Sequence, residues 1–132
     1  GFTDMPMNHK VFLAQFDAIK KLASEGPCVM VGRCADYALS EYKDCFSVFV
    51  HADTDWRINR LSQKHNKTAK EAKDMINKTD KSRSSYYNYY TNKKWGAASS
   101  YNLCVDSSKL GIDGAAKAII QAIEIFDSIK NK

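Results

Sequence analysis

Five cations in this chain stand where their charge could do chemistry together: Arg33 directly after a glycine, Arg57 and Arg60 three apart, and Lys81 and Arg83 two apart. A planar guanidinium grips phosphate or carboxylate oxygens bidentately, so such residues suit the holding of an anion. Lys81 and Arg83 fall in the stretch Ile76 to Gly96, which packs five cations, five aromatic residues and one acid into twenty-one positions. It is too polar for a core segment and too aromatic for an inert solvated face, and its natural partner is an anion that carries a flat ring. Between His51 and Trp95 there are eleven Lys and Arg against five Asp and Glu, a net of +6, whereas the rest of the chain has nine against ten. The basic excess is therefore gathered around this stretch.

The elements that must position these groups read as alternating helices and strands. Residues 1–8 carry no periodic signal. From Lys10 to Ser24 the apolar positions Val11, Phe12, Phe16, Ile19 and Leu22 recur at helical spacing, and Gly26-Pro27 ends the helix. Three uniformly apolar runs, 28–31, 46–50 and 102–106, have the habit of parallel strands buried on both faces. A short helix is expected over Ala35 to Tyr42, and Asp53 caps a further one over 54–65. Thr68-Ala69-Lys70-Glu71 is a capping box, and the helix it starts can run about 23 residues, roughly 35 Å, so that it projects, bends or breaks near Thr79. Ser107 to Gly111 reads as a loop, and 114–129 as a closing helix with an apolar face. No repeat or linker divides the chain, which reads as a single domain over 1–132 with a basic, lid-like helical segment at about 64–96.

Composition narrows the setting. No apolar run approaches the roughly 20 residues a membrane span requires, and the start lacks a basic and an apolar leader segment, which points to a cytoplasmic protein. The cysteines, Cys28, Cys34, Cys45 and Cys104, form no CxxC pair and have no histidine at ligand spacing, so they read as reduced, mostly buried thiols and no metal site is expected.

Strands alternating with helices make an α/β sheet, and the expected strand ends bring polar groups to one edge: Gly32 with Arg33, His51 with Asp53, and Asp106 with Ser107 and Ser108. Phosphoryl transfer suits such an edge beside an Arg- and Lys-rich segment, because its catalysis is mostly positioning and cation clamping. The run Gly32-Arg33-Cys34-Ala35-Asp36, the segment Val48 to Arg60, the basic helix from Thr79 through Tyr86-Tyr87-Asn88-Tyr89-Tyr90-Thr91, then Lys94-Trp95-Gly96 and Tyr101 to Cys104 resemble the cytidylate kinase-like family. That family belongs to the P-loop nucleoside monophosphate kinases, and the resemblance covers about residues 10 to 125.

The resemblance implies a three-layer α/β fold, a parallel sheet with flanking helices, incomplete at the amino-terminal side of this chain. It implies ATP-dependent transfer to a cytidylate-like nucleoside monophosphate, with ATP and Mg2+ as cofactors and nucleotides as partners. Gly32, Arg33, Asp36, Tyr86 and Tyr87 would hold the monophosphate. Arg57, Arg60, Lys81 and Arg83 would act on the phosphates as catalytic cations, and Ser107, Ser108 and Lys109 would lie near the adenine of ATP. Cys34 stands where cytidylate kinases carry Asp, and the lid's Arg-Asp repeat survives only as Thr79-Asp80 and Ser82-Arg83. No G-x-x-x-x-G-K-[ST] run occurs in the 132 residues. The chain is accordingly expected to be the carboxyl-terminal part of a kinase, inactive in transfer by itself. A missing strand between 28–31 and 46–50 would be supplied by another chain, which admits a homo-oligomer, or the two segments would pair directly. Two other readings fit the same residues: a degenerate kinase fold serving regulation or interaction, and, less favoured, a basic nucleic-acid-binding module.

Overall fold

A computed structural model describes residues 9–130. It is mostly helical, with one two-stranded parallel sheet. In chain order the elements are α1 (His9–Glu25), α2 (Ala35–Ala38), β1 (Val48–His51), α3 (Thr54–His65), α4 (Ala69–Thr91), a 3-10 turn (Ala98–Ser100), β2 (Leu103–Asp106) and α5 (Ser107–Lys130). The strands β1 and β2 run parallel, with Val48 opposite Leu103 and His51 opposite Asp106. Their entry is pinned by Asn102, whose Oδ1 accepts from the Ser47 N–H at 2.8 Å, while its own N–H donates to Ser47 Oγ at 3.0 Å.

The expected three-layer sheet is overturned at residues 28–31. This segment is not a strand and pairs neither with β1 nor with β2; Val29 is 93% and Val31 89% exposed. An apolar run acquires strand geometry only from a neighbour that takes its backbone hydrogen bonds, and among the described residues none lies beside it. Direct pairing of 28–31 with 46–50 therefore does not occur. Only Met30 turns inward, against the cluster of Ile19, Ala35, Ala38 and Leu39, to which Phe16, Ala23 and Cys45 also pack.

The helix α4 is a single rod through Thr79, with no break there. The capping box holds its start: Thr68 Oγ1 accepts from the Glu71 N–H at 3.1 Å, and Glu71 Oε1 accepts from the Thr68 N–H at 2.9 Å. Asn92, with φ 58°, ends it and returns its N–H to the Asn88 carbonyl at 3.2 Å. A buried or half-buried stripe, Ala72, Ile76, Asp80, Tyr87 and Thr91, runs along one side. Its amino-terminal part lies against α3, and its carboxyl-terminal part covers α1, where Tyr90 stacks on Phe12 with ring centroids 4.0 Å apart. Phe12, Cys34 and Tyr87 form the centre of this second cluster, surrounded by Phe16, Tyr37, Tyr86, Tyr90, Trp95 and Tyr101.

The segment expected as a loop at Ser107 to Gly111 instead begins with a helical turn. Gly111, at φ 75°, then breaks the path before the long closing helix. Phe126 of that helix meets Phe46 at 5.2 Å, whereas Ile129 near its end is exposed. The cysteines are all free thiols; Cys34 is buried but Cys28 is exposed, contrary to the expectation for its run.

Candidate functional site

Gly32, Arg33 and Cys34 have φ values of 70°, 58° and 56°, so three successive residues adopt the left-handed conformation. For the two that carry a Cβ this costs on the order of 1 to 2 kcal/mol each. The surroundings impose it. Cys34 is buried between Phe12 and Tyr87, the Ala35 N–H reaches the Gly32 carbonyl at 3.1 Å, and the Ala38 N–H reaches the Cys34 carbonyl at 3.0 Å. Tyr87 Oη donates to Asp36 Oδ2 at 2.7 Å and ties the turn to α4. Burial, reinforced by the Asp36 carboxylate, pushes the Cys34 thiol up to about 12. Burial and the hydrogen bond to Asp36 likewise raise Tyr87. Both groups are neutral packing elements behind the turn, while Arg33 at its tip is exposed.

Tyr86, Tyr87 and Tyr90 are therefore anchored in the packing of the domain. Tyr86 Oη donates to Gln15 Oε1 at 3.2 Å, and Tyr86 packs edge-on to Phe12 with centroids 6.2 Å apart. The Tyr86 hydroxyl is raised chiefly by burial, and the Arg33 charge opposes that shift.

Arg57 reaches from α3 to α4 and clasps Asp80 with both arms: Nη1 to Oδ2 and Nη2 to Oδ1, each 2.8 Å. Arg83 follows Asp80 by three residues and precedes Tyr86 by three. At 100° per residue Arg83 falls about 20° from Ile76 on the inner stripe, whereas Lys81 falls about 140° away. Arg83 is nevertheless exposed, on the span between the part of α4 that faces α3 and the part that covers α1. Asp80 with Arg57, then Arg83, then Tyr86 make a row that rises about 9 Å along α4, and the Arg33 charge acts on the Tyr86 hydroxyl at its upper end. The structure thus ties Arg57 to α4 at Asp80, three residues before Arg83, while Arg33 stands exposed on its own turn. Lys81 stands on another face, and the Arg60 guanidinium lies over the Trp56 ring, 5.8 Å from its centroid.

The carboxyl ends of β1 and β2 form a separate, open cleft of about 490 Å³, lined by His51, Asp53, Trp56, Asp106, Ser108 and Lys109 among others. Its polar groups bond one another. Ser107 Oγ donates to the His51 carbonyl at 3.1 Å, and Ser108 Oγ accepts from the Asp53 N–H at 2.9 Å while donating to Asp106 Oδ1. Asp106 Oδ1 also accepts the N–H groups of Ser108 and Lys109, at 2.9 and 3.3 Å, and the Ser108 hydroxyl bond leads the causes that hold its pKa below the usual carboxylate range. Asp53 Oδ2 caps α3 through the N–H groups of Asp55 and Trp56.

The model of the cytidylate kinase-like family matches residues 1–109. The chain belongs to the cytidylate kinase-like family. The match spans the strained turn, the Arg57–Asp80 clasp, Arg83 and both strands. A solved structure of similar shape is that of an uncharacterized protein from Eubacterium ventriosum ATCC 27560, 33% identical, with a TM-score of 0.85 over 89% of this chain and 74% of that one. No curated protein matches. Among the described residues, no helix of this cytidylate kinase-like protein is long and apolar enough to cross a membrane.

Asp80 was visible in the sequence only as the lone acid of the basic stretch. Its signal was its place four residues after Ile76 and eight after Ala72, an acid on an apolar stripe, which needs a partner.

Proposed function

We propose that this cytidylate kinase-like protein binds a nucleoside monophosphate, cytidylate-like, as a phosphoryl acceptor, with the phosphate on Arg33, Arg57 and Arg83. The observation that carries the reading is the left-handed turn at Gly32-Arg33-Cys34, braced from behind by Tyr87 and Phe12, with Arg33 exposed at its tip. Strain of this kind persists where the surroundings hold it, and it gathers at sites that grip ligands. A guanidinium that meets phosphate bidentately contributes on the order of 1.5 to 3 kcal/mol per charge-assisted bond. Three of them around one phosphate spread its charge and fix its direction, which is the positioning that phosphoryl transfer demands. Tyr86 and Tyr87 support this site from the core side, and Asp36 serves it by holding Tyr87.

The hydroxyls near which the resemblance places the adenine of ATP are engaged within the protein. Ser107 and Ser108 direct their hydroxyls to the His51 carbonyl and to Asp106, and Asp53 and Asp106 each give one carboxylate oxygen to capping bonds. The same engagement of Ser107 and Ser108 favours a second reading, in which the chain holds the nucleotide for recognition rather than for transfer.

Calorimetric titration with cytidine monophosphate and with cytidine tests the proposal. The monophosphate should bind well above the nucleoside, and Arg33→Ala should weaken it about tenfold, roughly 1.4 kcal/mol, with cytidine unaffected. Equal binding of the two, or an Arg33→Ala variant that binds like the parent, would overturn it.

A further inference from the structure

We propose that Asp80 is the positioning residue of the phosphate site: its carboxylate fixes the end of the Arg57 guanidinium, and so turns the remaining N–H edge of Arg57 toward the anion. The inference rests on the monophosphate reading above. The guanidinium carries five N–H donors in a fixed plane. Asp80 takes two of them, one from each terminal nitrogen, in the end-on fork. The other three N–H groups have no hydrogen-bond partner among the described residues, and Nε–H with the outer N–H of the terminal nitrogen on its side forms the side-on pair that a phosphate oxygen set can accept.

Three features of the placement favour positioning over mere packing. The pair is part-buried, with side chains 32% and 26% exposed, so it is partly shielded from water yet still reachable from solvent. Asp80 is the last residue of the inner stripe before the exposed span that carries Arg83, so the clasp fixes the rotation of α4 where that span begins. The stripe that precedes it offers only Ala72 and Ile76 as buried residues, which resist rotation about the helix axis weakly. A long arginine side chain left free would lose its rotamer freedom on meeting phosphate; held by Asp80, it has lost that freedom already.

The test uses the full chain and three probes, cytidine monophosphate, cytidine and inorganic phosphate. Asp80→Asn should weaken the monophosphate and inorganic phosphate about five- to tenfold, while cytidine stays within about twofold, because only the phosphate contact is misaligned. Arg57→Lys, which keeps the charge and loses the fork, should give a loss of the same size, and the double variant should lose no more than either single one. It also serves if Asp80→Asn fails to fold. Equal weakening of monophosphate and nucleoside would mark a purely structural clasp and overturn the inference. So would unchanged monophosphate affinity, or tighter binding, which would make Asp80 a competitor of the phosphate. If the parent binds monophosphate and the variants do not differ from it, the inference alone fails; if the parent binds neither nucleotide nor phosphate, the monophosphate reading fails with it.

Discussion

Two places in this molecule look like sites, and they differ in what their polar groups are doing. At the carboxyl ends of β1 and β2, Ser107, Ser108, Asp53 and Asp106 bond one another and the backbone around them. Along the middle of α4 and at the turn beside it, Arg83 and Arg33 are exposed, and Arg57 keeps one edge of its guanidinium unused. The first place is rich in hydrogen-bonding groups that stabilise their own loops. The second has fewer groups, mounted on a strained turn and a long helix whose two ends are packed. Polar residues gathered at strand ends are thus weak evidence for a ligand until their partners are counted.

The largest expected effect tests whether the aromatic backing holds the turn. Phe12→Ala removes the ring that stacks on Tyr90 and contacts Cys34, and should cost about 3 kcal/mol or more in urea unfolding, with loss of monophosphate binding. A stable variant that still binds would show that the turn needs no such support.

Next in size is the response to alkali. The Cys34 thiol is raised from its ordinary 9.0 to about 12, so the folded state keeps a proton that the unfolded chain releases. Its contribution is complete below about pH 9 and is lost as pH rises from there toward 12; Tyr87 acts in the same direction above its ordinary 10.0. The urea midpoint should fall between pH 9 and 11, and Cys34→Ala should flatten that fall. An unchanged slope in the variant would remove Cys34 from the account.

A smaller effect sharpens the contrast from the other side. Ser108→Ala leaves the Asp53 N–H and the Asp106 carboxylate short of a partner and should cost about 1 kcal/mol of stability, with monophosphate affinity unchanged within about twofold. A selective loss of nucleotide binding there would move the site to the strand ends.

The helices were largely readable in the sequence. The 3.6-residue spacing of Phe12, Phe16 and Ile19 and the capping box at Thr68 are local signals, and they placed α1 and the start of α4. The strands were not readable to the same degree, because Cys28 to Val31 and Val48 to His51 are equally apolar and only the second has a neighbour in register. The tyrosine run shows a related limit: Tyr86 and Tyr90 pack on Phe12 of α1 while Tyr89 is exposed, and the sequence does not show which surface a ring meets. Of the named cations, spacing alone separates Arg83 from Lys81 once the inner stripe of α4 is known, and that stripe follows from Ala72 and Ile76. The clasp that takes Arg57 away from Arg60 is a contact over 23 positions, which no local pattern encodes.

That separation is the most direct test of the central claim, that phosphate sits on the arginine row and not in a diffuse basic field. Arg83→Ala and Lys81→Ala remove the same unit charge from the same helix two residues apart, so a diffuse field would register them alike. Calorimetric titration of both variants with cytidine monophosphate should show Arg83→Ala weakened about five- to tenfold and Lys81→Ala within about twofold of the parent, the difference expected of a direct charge-assisted contact against a screened one. Equal losses in the two variants, or a larger loss for Lys81→Ala, would contradict the account.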